Sequence, residues 1–497
     1  MKNNPPNLRN RRDFMKQSGL AAMGLMSLPS LLASIRSAGY PDIPGHGPAS
    51  SYTPRIKAAF IRRKEDYGMR WPGAIYDGEA ARSSYIEKIR DSSKKLGIEA
   101  DISPVPLYSL EAGEKWIQEA VDAQTDGLLL VTLDRQDHTW PTVGKAIDST
   151  LPVVVFSPLG TSFTTNTSLY NKRNGVFIAA TDDFGQAEFG MKMLKAGARI
   201  RETRYLVIIQ GIDEVSEVTL RHFGTKLRFV PAEHFIEQYE KLVDSPEARE
   251  LARSCMRQAR HIHEASEEDV INGARSYFAV VSLLEREQAD AVTMDCLGVL
   301  GPLSISLPCL AWSRLNDAGV PAACEGDLEA CLTHCVVQYL FDQPAFQQDP
   351  VPETAKGCLI GSHCSCPTKL AGWTSEAEPY TIMHHHGQRD ATLKPEWRLG
   401  QTVTVADLIL PVVQNSLRKP LVEYKEGKPA MLISTGEVVG QKSIPPAGGC
   451  VVAPMVKLHG VESYLDYPGF HQMFFYGNHK QELKHFSQLF GIVPKVI

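Results

Sequence analysis

The chain has no surplus of positive charge: 52 Lys and Arg stand against 57 Asp and Glu, a formal net charge of -5. That balance excludes a basic stripe that would draw nucleic acid and points to small molecules or other subunits as partners. It also lacks an apolar run of the about 20 residues that a spanning helix needs. The most apolar N-terminal stretch, residues 19–33, is weakly hydrophobic and too short. None of the ten cysteines forms a CxxC pair. Cys364 and Cys366 make a CxC, a spacing that argues against a structural zinc, and the others are scattered rather than arranged as a disulfide framework. No internal repeat or low-complexity segment is present. What remains is a 497-residue chain of ordinary globular composition, 43% hydrophobic and 22% charged, long enough for two or three domains.

The first forty residues differ from the rest. Arg11 and Arg12 are followed by Asp13, two apolar residues (Phe14 and Met15) and Lys16, then by the Ala-, Gly-, Met- and Leu-rich stretch and a small, polar segment ending at Ala38. This resembles a twin-arginine export signal over residues 1–38, cleaved after Ala38, which implies a periplasmic or secreted protein with no stable membrane span once mature. The competing reading is an amphipathic N-terminal helix of a cytosolic protein. Because the twin-arginine route carries folded proteins, the signal fits a metal loaded before export and weakens any disulfide inference.

From Arg55 onward, short apolar runs alternate with longer helical patterns, which predicts α/β architecture with parallel sheets covered by helices. The pattern gives strands at residues 56–61, 99–107, 127–133 and 151–156 and helices at 80–96, 112–123 and 184–198, a first Rossmann-like domain over residues 39–200. A second, over 201–343, has strands at 204–210, 226–230, 290–294 and 320–324. Its helices fall at 233–264, 268–288, 308–318 and 328–341, and it has no glycine-rich phosphate loop. From 344 to 497 the texture turns to Pro, Gly, Thr and β alternation (401–410, 430–439, 449–458), a mainly β C-terminal domain closed by a helix at 480–489.

Chemistry concentrates where the strand ending at Cys324 runs into Glu325, Gly326 and Asp327. In open α/β sheets, ligands sit beyond the carboxyl ends of strands. Asp327 reads as the N-cap of the following helix; capping does not account for Glu325. Further on stand Asp349 in Phe-Gln-Gln-Asp-Pro, His363 in Gly-Ser-His-Cys-Ser-Cys-Pro, and His471 in Pro-Gly-Phe-His-Gln-Met. Taken alone, Asp349 reads as a turn residue in a Pro-rich connection, and His471, beside Phe470, Phe474 and Phe475, as a core histidine. In the run His384-His385-His386, β alternation lets His384 and His386 share a face, as a solvated or substrate-adjacent loop. Asp295, Cys296 and Asn316 are candidate pocket wall.

The run from Arg314 to Asp327, the later Phe-x-x-Asp and the Ser-His-Cys-x-Cys-Pro together resemble the L-fucose and L-arabinose isomerase superfamily. The likeness covers residues 290–367 and the last thirty. The Met-Glu-Asp-Tyr run of the arabinose enzymes is missing, which argues against L-arabinose itself. The resemblance implies a metal-dependent aldose–ketose isomerase, an intramolecular oxidoreductase, and a homo-oligomer, possibly a hexamer. It makes Glu325 and Asp349 metal-binding carboxylates and catalytic bases or acids, His471 and His363 further ligands, and Asp295, Asn316, His384 and His386 substrate contacts. Two carboxylates with imidazoles suit a hard ion such as Mn²⁺ or Mg²⁺ and leave positions for sugar oxygens. Two alternatives stay open: an exported sugar-binding receptor without catalysis, and a metal-assisted epimerase on a modified sugar.

Overall fold

The computed structural model describes residues 45–303, 305–385, 390–412, 422–442 and 450–497. The expected export signal and His386 lie outside the described residues. No described helix is long and apolar enough to cross a membrane.

The chain is α/β. Strands Glu99–Ile102, Arg55–Ile61, Gly127–Thr132, Val153–Ser157 and Val176–Ala180 form, in that spatial order, a five-stranded sheet that is parallel throughout. Strands Gly127–Thr132 and Val153–Ser157 are buried along their whole length, which is why they read as continuous apolar runs rather than alternating ones. Helix Gly78–Leu96 is bounded by local chemistry. The Asp77 side chain accepts from the amides of Glu79 and Ala80, and Gly97 closes the helix at φ 64°, a left-handed conformation that glycine adopts without steric cost.

A second sheet orders Ala322–Cys324, Ala291–Met294, Arg204–Ile209 and Lys226–Pro231 in parallel, with Ser216–Thr219 antiparallel at its edge. The C-terminal region is a closed β-barrel. Thr402–Ile409, Gln472–Tyr476, Phe346–Glu353, Cys358–Ser362, Pro454–Leu458 and Ala430–Gln441 pair in sequence, and the last of these pairs back with the first. Closure leaves no free edge among those six strands. Val493–Val496 adds to Ala430–Gln441 as a parallel strand.

Several expectations need correction. The long helix over 233–264 is two helices, Ala232–Glu240 and Pro246–Gln258, because Ser245 caps and Pro246 starts the second; the segment then ends in strand His261–His263. The strand over 99–107 stops at Ile102, before two prolines that cannot donate to a ladder. The hairpin of Tyr67–Arg70 and Ala74–Asp77 and the strand Val176–Ala180 were not expected. The boundary at 343/344 marks a change of texture, yet one small sheet crosses it: His261–His263 pairs with Tyr380–His385, which pairs with Asp390–Pro395. Likewise the C-terminal helix Lys480–Leu489 returns to the first sheet, where the amide of Gly175 donates to the carbonyl of Gln488 at 3.0 Å.

Candidate metal centre

Four of the expected site residues converge from the second sheet and the barrel. Glu325 follows strand Ala322–Cys324, whose end is pinned by Gln347: its Oε1 accepts from the amide of Cys324 at 2.8 Å. Barrel register supplies the rest. Gln348 pairs with Gln472 and Asp349 with Ser362, so Asp349, His363 and His471 come from three neighbouring strands or their ends. His363 is held on both sides by backbone bonds to Val452 at 3.1 and 3.0 Å. Asp349 is therefore a strand residue, not a turn residue.

The geometry is tight. His471 Nε2 lies 3.2 Å from Asp349 Oδ1 and 3.6 Å from Glu325 Oε2, and His363 Nε2 lies 3.7 Å from Glu325 Oε1. Donor atoms of Glu325, His363 and His471 all lie within 4.8 Å of one another. The two imidazoles meet edge to face, centroids 5.6 Å apart. Glu325 and His471 both sit at positive φ, 63° and 45°, a left-handed conformation that costs a non-glycine residue of order 1–3 kcal/mol and persists where surrounding structure enforces it. Two strained residues whose side chains meet make this the candidate functional site.

The electrostatics fit a cation. Among the described residues, Glu325, Asp349 and Asp327 form ion pairs only with histidines. Burial pushes the Glu325 carboxyl above its ordinary value; His471 and His363 oppose this, while Cys324 and Asp349 add to it. Burial by itself would depress His471, but Asp327, Asp349 and Glu325 outweigh it and raise the imidazolium to about 10. Asp349 Oδ1 and His363 Nε2 are buried with no hydrogen bond beyond their ion-pair contacts to His471 and Glu325, and buried polar atoms left this way call for an explanation. Two carboxylates and two imidazoles match a divalent ion of the Mn²⁺ or Mg²⁺ class, which would take the place of the proton on His471.

No family model and no curated protein matches this chain. Three solved structures give distant likenesses. An arabinose-binding protein from Geobacillus stearothermophilus is 11% identical, covers 51% of this chain and 80% of its own, with a TM-score of 0.18. A sugar-binding protein of a Bacillus halodurans sugar ABC transporter is 12% identical over 47% of this chain and 87% of its own, at 0.17. An ABC transporter solute-binding protein from Burkholderia multivorans is 11% identical over 59% and 95%, at 0.20. Likenesses this low assign neither substrate nor activity, and the site's own chemistry carries the reading that follows.

The remaining expected contacts divide. Asp295 caps helix Cys296–Leu300, its Oδ1 accepting from the Gly298 amide at 3.4 Å, and its backbone lies against Gly326, so it borders the site. Asn316 is not a ligand contact. Its amide donates to the carbonyls of Trp312 and Ala322 and accepts from the Ala322 amide and Gln338, which uses all four hydrogen-bonding positions of the side chain. His384 is spent on Asp269, Nε2 to Oδ2 at 3.0 Å, at the cap of helix Glu267–Arg286. Two residues outside the expected set belong to it. Asp327 caps its helix through Oδ1 and also holds His471 Nδ1 through Oδ2 at 2.8 Å. Phe470, 62% exposed, lies over the His471 ring with centroids 4.2 Å apart. Sequence did show Phe470 beside His471, but not that it faces outward while Phe474 and Phe475 are buried.

Behind the site, Asp407 is buried on strand Thr402–Ile409 with Oδ1 lacking a hydrogen-bond partner. Burial, with Glu329 and Asp327 adding and His471 opposing, lifts its carboxyl to about 8. An unfolded aspartate titrates near about 3.9. Between those values the folded state binds the extra proton, so this group's contribution to stability is lost as pH rises through the window. Asp407→Asn should then exceed the wild type by a margin that widens from acid to neutral pH. Denaturant midpoints of metal-free protein test this, and parallel pH profiles for the two proteins would refute it.

Proposed function

We propose that this chain is a metal-dependent enzyme of the aldose–ketose isomerase type, acting on a sugar, with Glu325, Asp349, His471 and His363 around one divalent ion. The observation that carries the reading is the convergence of these four side chains, with the buried Asp349 Oδ1 and His363 Nε2 contacted only by ion pairs within the cluster. When bound, Mn²⁺ or Mg²⁺ polarises a sugar carbonyl and acidifies the neighbouring hydroxyl.

The chain's own residues do the rest. The side chains of Glu325 and Asp349 are 35% and 31% exposed, whereas His471 and His363 are nearly inaccessible, so the two carboxylates are the members a sugar carbon can reach. The raised carboxyl pKa of Glu325 suits a group that must both take and return a proton. Glu325 Oε then removes the proton from one sugar carbon and delivers it to the next through an enediol, with Asp349 across His471 as the second acid–base group. Asp327 fixes the His471 ring through Nδ1, the outer contact that orients a ligating imidazole. Phe470 offers an apolar surface for one face of a sugar ring.

The test is turnover. Protein stripped of metal and reloaded with Mn²⁺ or Mg²⁺ should interconvert at least one deoxy aldose or aldopentose with its ketose and wash in solvent deuterium, and the stripped protein should not. Sugar binding seen by calorimetry with no turnover under any metal would instead establish the receptor. Metal affinity should climb with pH. A ligating imidazole must be neutral, and the His471 proton, held up to about 10 in metal-free protein, competes less as pH rises. A pH-independent affinity would remove His471 from the ligand set.

A further inference from the structure

A separate cluster lies behind His363. Cys309 Sγ is 3.3 Å from Cys364 Sγ and 3.6 Å from His385 Nδ1, and the three donors lie within 4.8 Å of one another. Cys309 and His385 are each 1% exposed and Cys364 5%. We propose that Cys309, Cys364 and His385 form a second metal site, selective for a thiophilic divalent ion of the Zn²⁺ class.

Three elements build it. Cys309 is the first residue of helix Cys309–Asp317. Cys364 follows the barrel strand Cys358–Ser362. His385 ends strand Tyr380–His385, and strand alternation turns it inward while His384 goes to Asp269. The CxC spacing was thus misleading: Cys364 pairs with a cysteine from another layer of the fold rather than with Cys366, which faces Trp397 and Asp317.

The distances suit the ion. Zinc bonds of about 2.3 Å to sulfur and about 2.0–2.1 Å to nitrogen place tetrahedral ligands about 3.5–3.8 Å apart; the Cys309–His385 separation of 3.6 Å meets this, and the two sulfurs, at 3.3 Å, would part by about 0.5 Å on binding. The two sulfurs are not bonded to each other: both cysteines are free, and 3.3 Å is well beyond the about 2.05 Å of a disulfide bond. Two thiolates and a neutral imidazole balance a divalent charge, so the filled site is neutral in a dry interior, where net charge is costly. Soft sulfur separates this site from its oxygen-rich neighbour. His363 connects the two: its Nδ1 lies 3.5 Å from Cys364 Sγ and its Nε2 faces Glu325, so a metallated Cys364 would fix the imidazole orientation that the carboxylate centre uses.

Cobalt distinguishes the sites, since only thiolate ligation gives a sulfur-to-metal charge-transfer band in the near ultraviolet. Full-length protein, reduced and stripped, is titrated with Co²⁺ alone. The expected result is a saturable band that persists in Glu325→Gln, is lost in Cys309→Ser and Cys364→Ser, and is displaced by Zn²⁺. The wild-type titration decides even where the serine variants do not fold. A folded wild type that binds Co²⁺ without the band would overturn the proposal, as would a band surviving both serine substitutions. So would a Cys309–Cys364 disulfide in peptides mapped without reduction.

Discussion

Glu325→Gln should lower kcat/KM by about 10²–10⁴-fold, the range contributed by a positioned acid–base group, and weaken binding of the activating metal. Glutamine keeps the size and the reach of the side chain but neither the charge nor a basic oxygen. The folded state should survive. Glu325 is partly exposed, and its carboxyl is pushed up by burial, so the ionised form is already unfavourable in metal-free protein. Stability of stripped Glu325→Gln should therefore equal or slightly exceed that of the wild type, a loss of activity without loss of stability that is characteristic of functional sites. Steady-state kinetics on the reacting sugar, metal analysis and a denaturation curve on the same preparations supply the check. Wild-type turnover with unchanged metal content in the variant would remove Glu325 from the chemistry.

Asp317→Ala should destabilise the protein by about 3–5 kcal/mol, the cost of removing one partner from a buried charged network. Asp317 is buried at the end of helix Cys309–Asp317 and accepts from the amides of Thr368 and Lys369, both at 2.8 Å, and from the Thr368 hydroxyl at 2.6 Å. Arg314 Nη1 approaches it at 3.6 Å. Burial is the largest influence on its carboxyl and raises it, with Arg314 and the Thr368 and Lys369 donors opposing. This one side chain ties helix Cys309–Asp317 to the loop following Cys366, and so holds the segment that carries His363 and Cys364. Asp317→Asn keeps an acceptor for the two amides and should fall between the two proteins. Urea midpoints measure the series, and a loss below about 1 kcal/mol for alanine would show that the network is not a clamp.

The run Arg314-Leu-Asn-Asp, part of what makes the sequence look like a sugar isomerase, thus serves mainly as scaffold. Asn316 holds strand Ala322–Cys324 through Ala322, and Asp317 holds the segment at Thr368. A sequence pattern records that polar residues are required at these positions; it does not record whether they face a ligand or a neighbouring backbone. The same ambiguity hid the histidine run. Alternation correctly separated His385 from His384, but which face points to the interior depends on helix Cys309–Asp317 packing against it, which no local period encodes.

What the sequence determines by itself is local. Continuous apolar runs made the parallel strands legible because both of their faces are buried. Caps and prolines set the helix ends, and Glu325 stood out because it follows a strand in the turn before a helix. The tertiary structure decides the rest: closure of the barrel, the register that sets Asp349 beside Ser362, and the turn that carries His471 to Glu325 at positive φ. These depend on contacts between residues far apart in the chain, and on backbone strain that only the completed packing can hold in place.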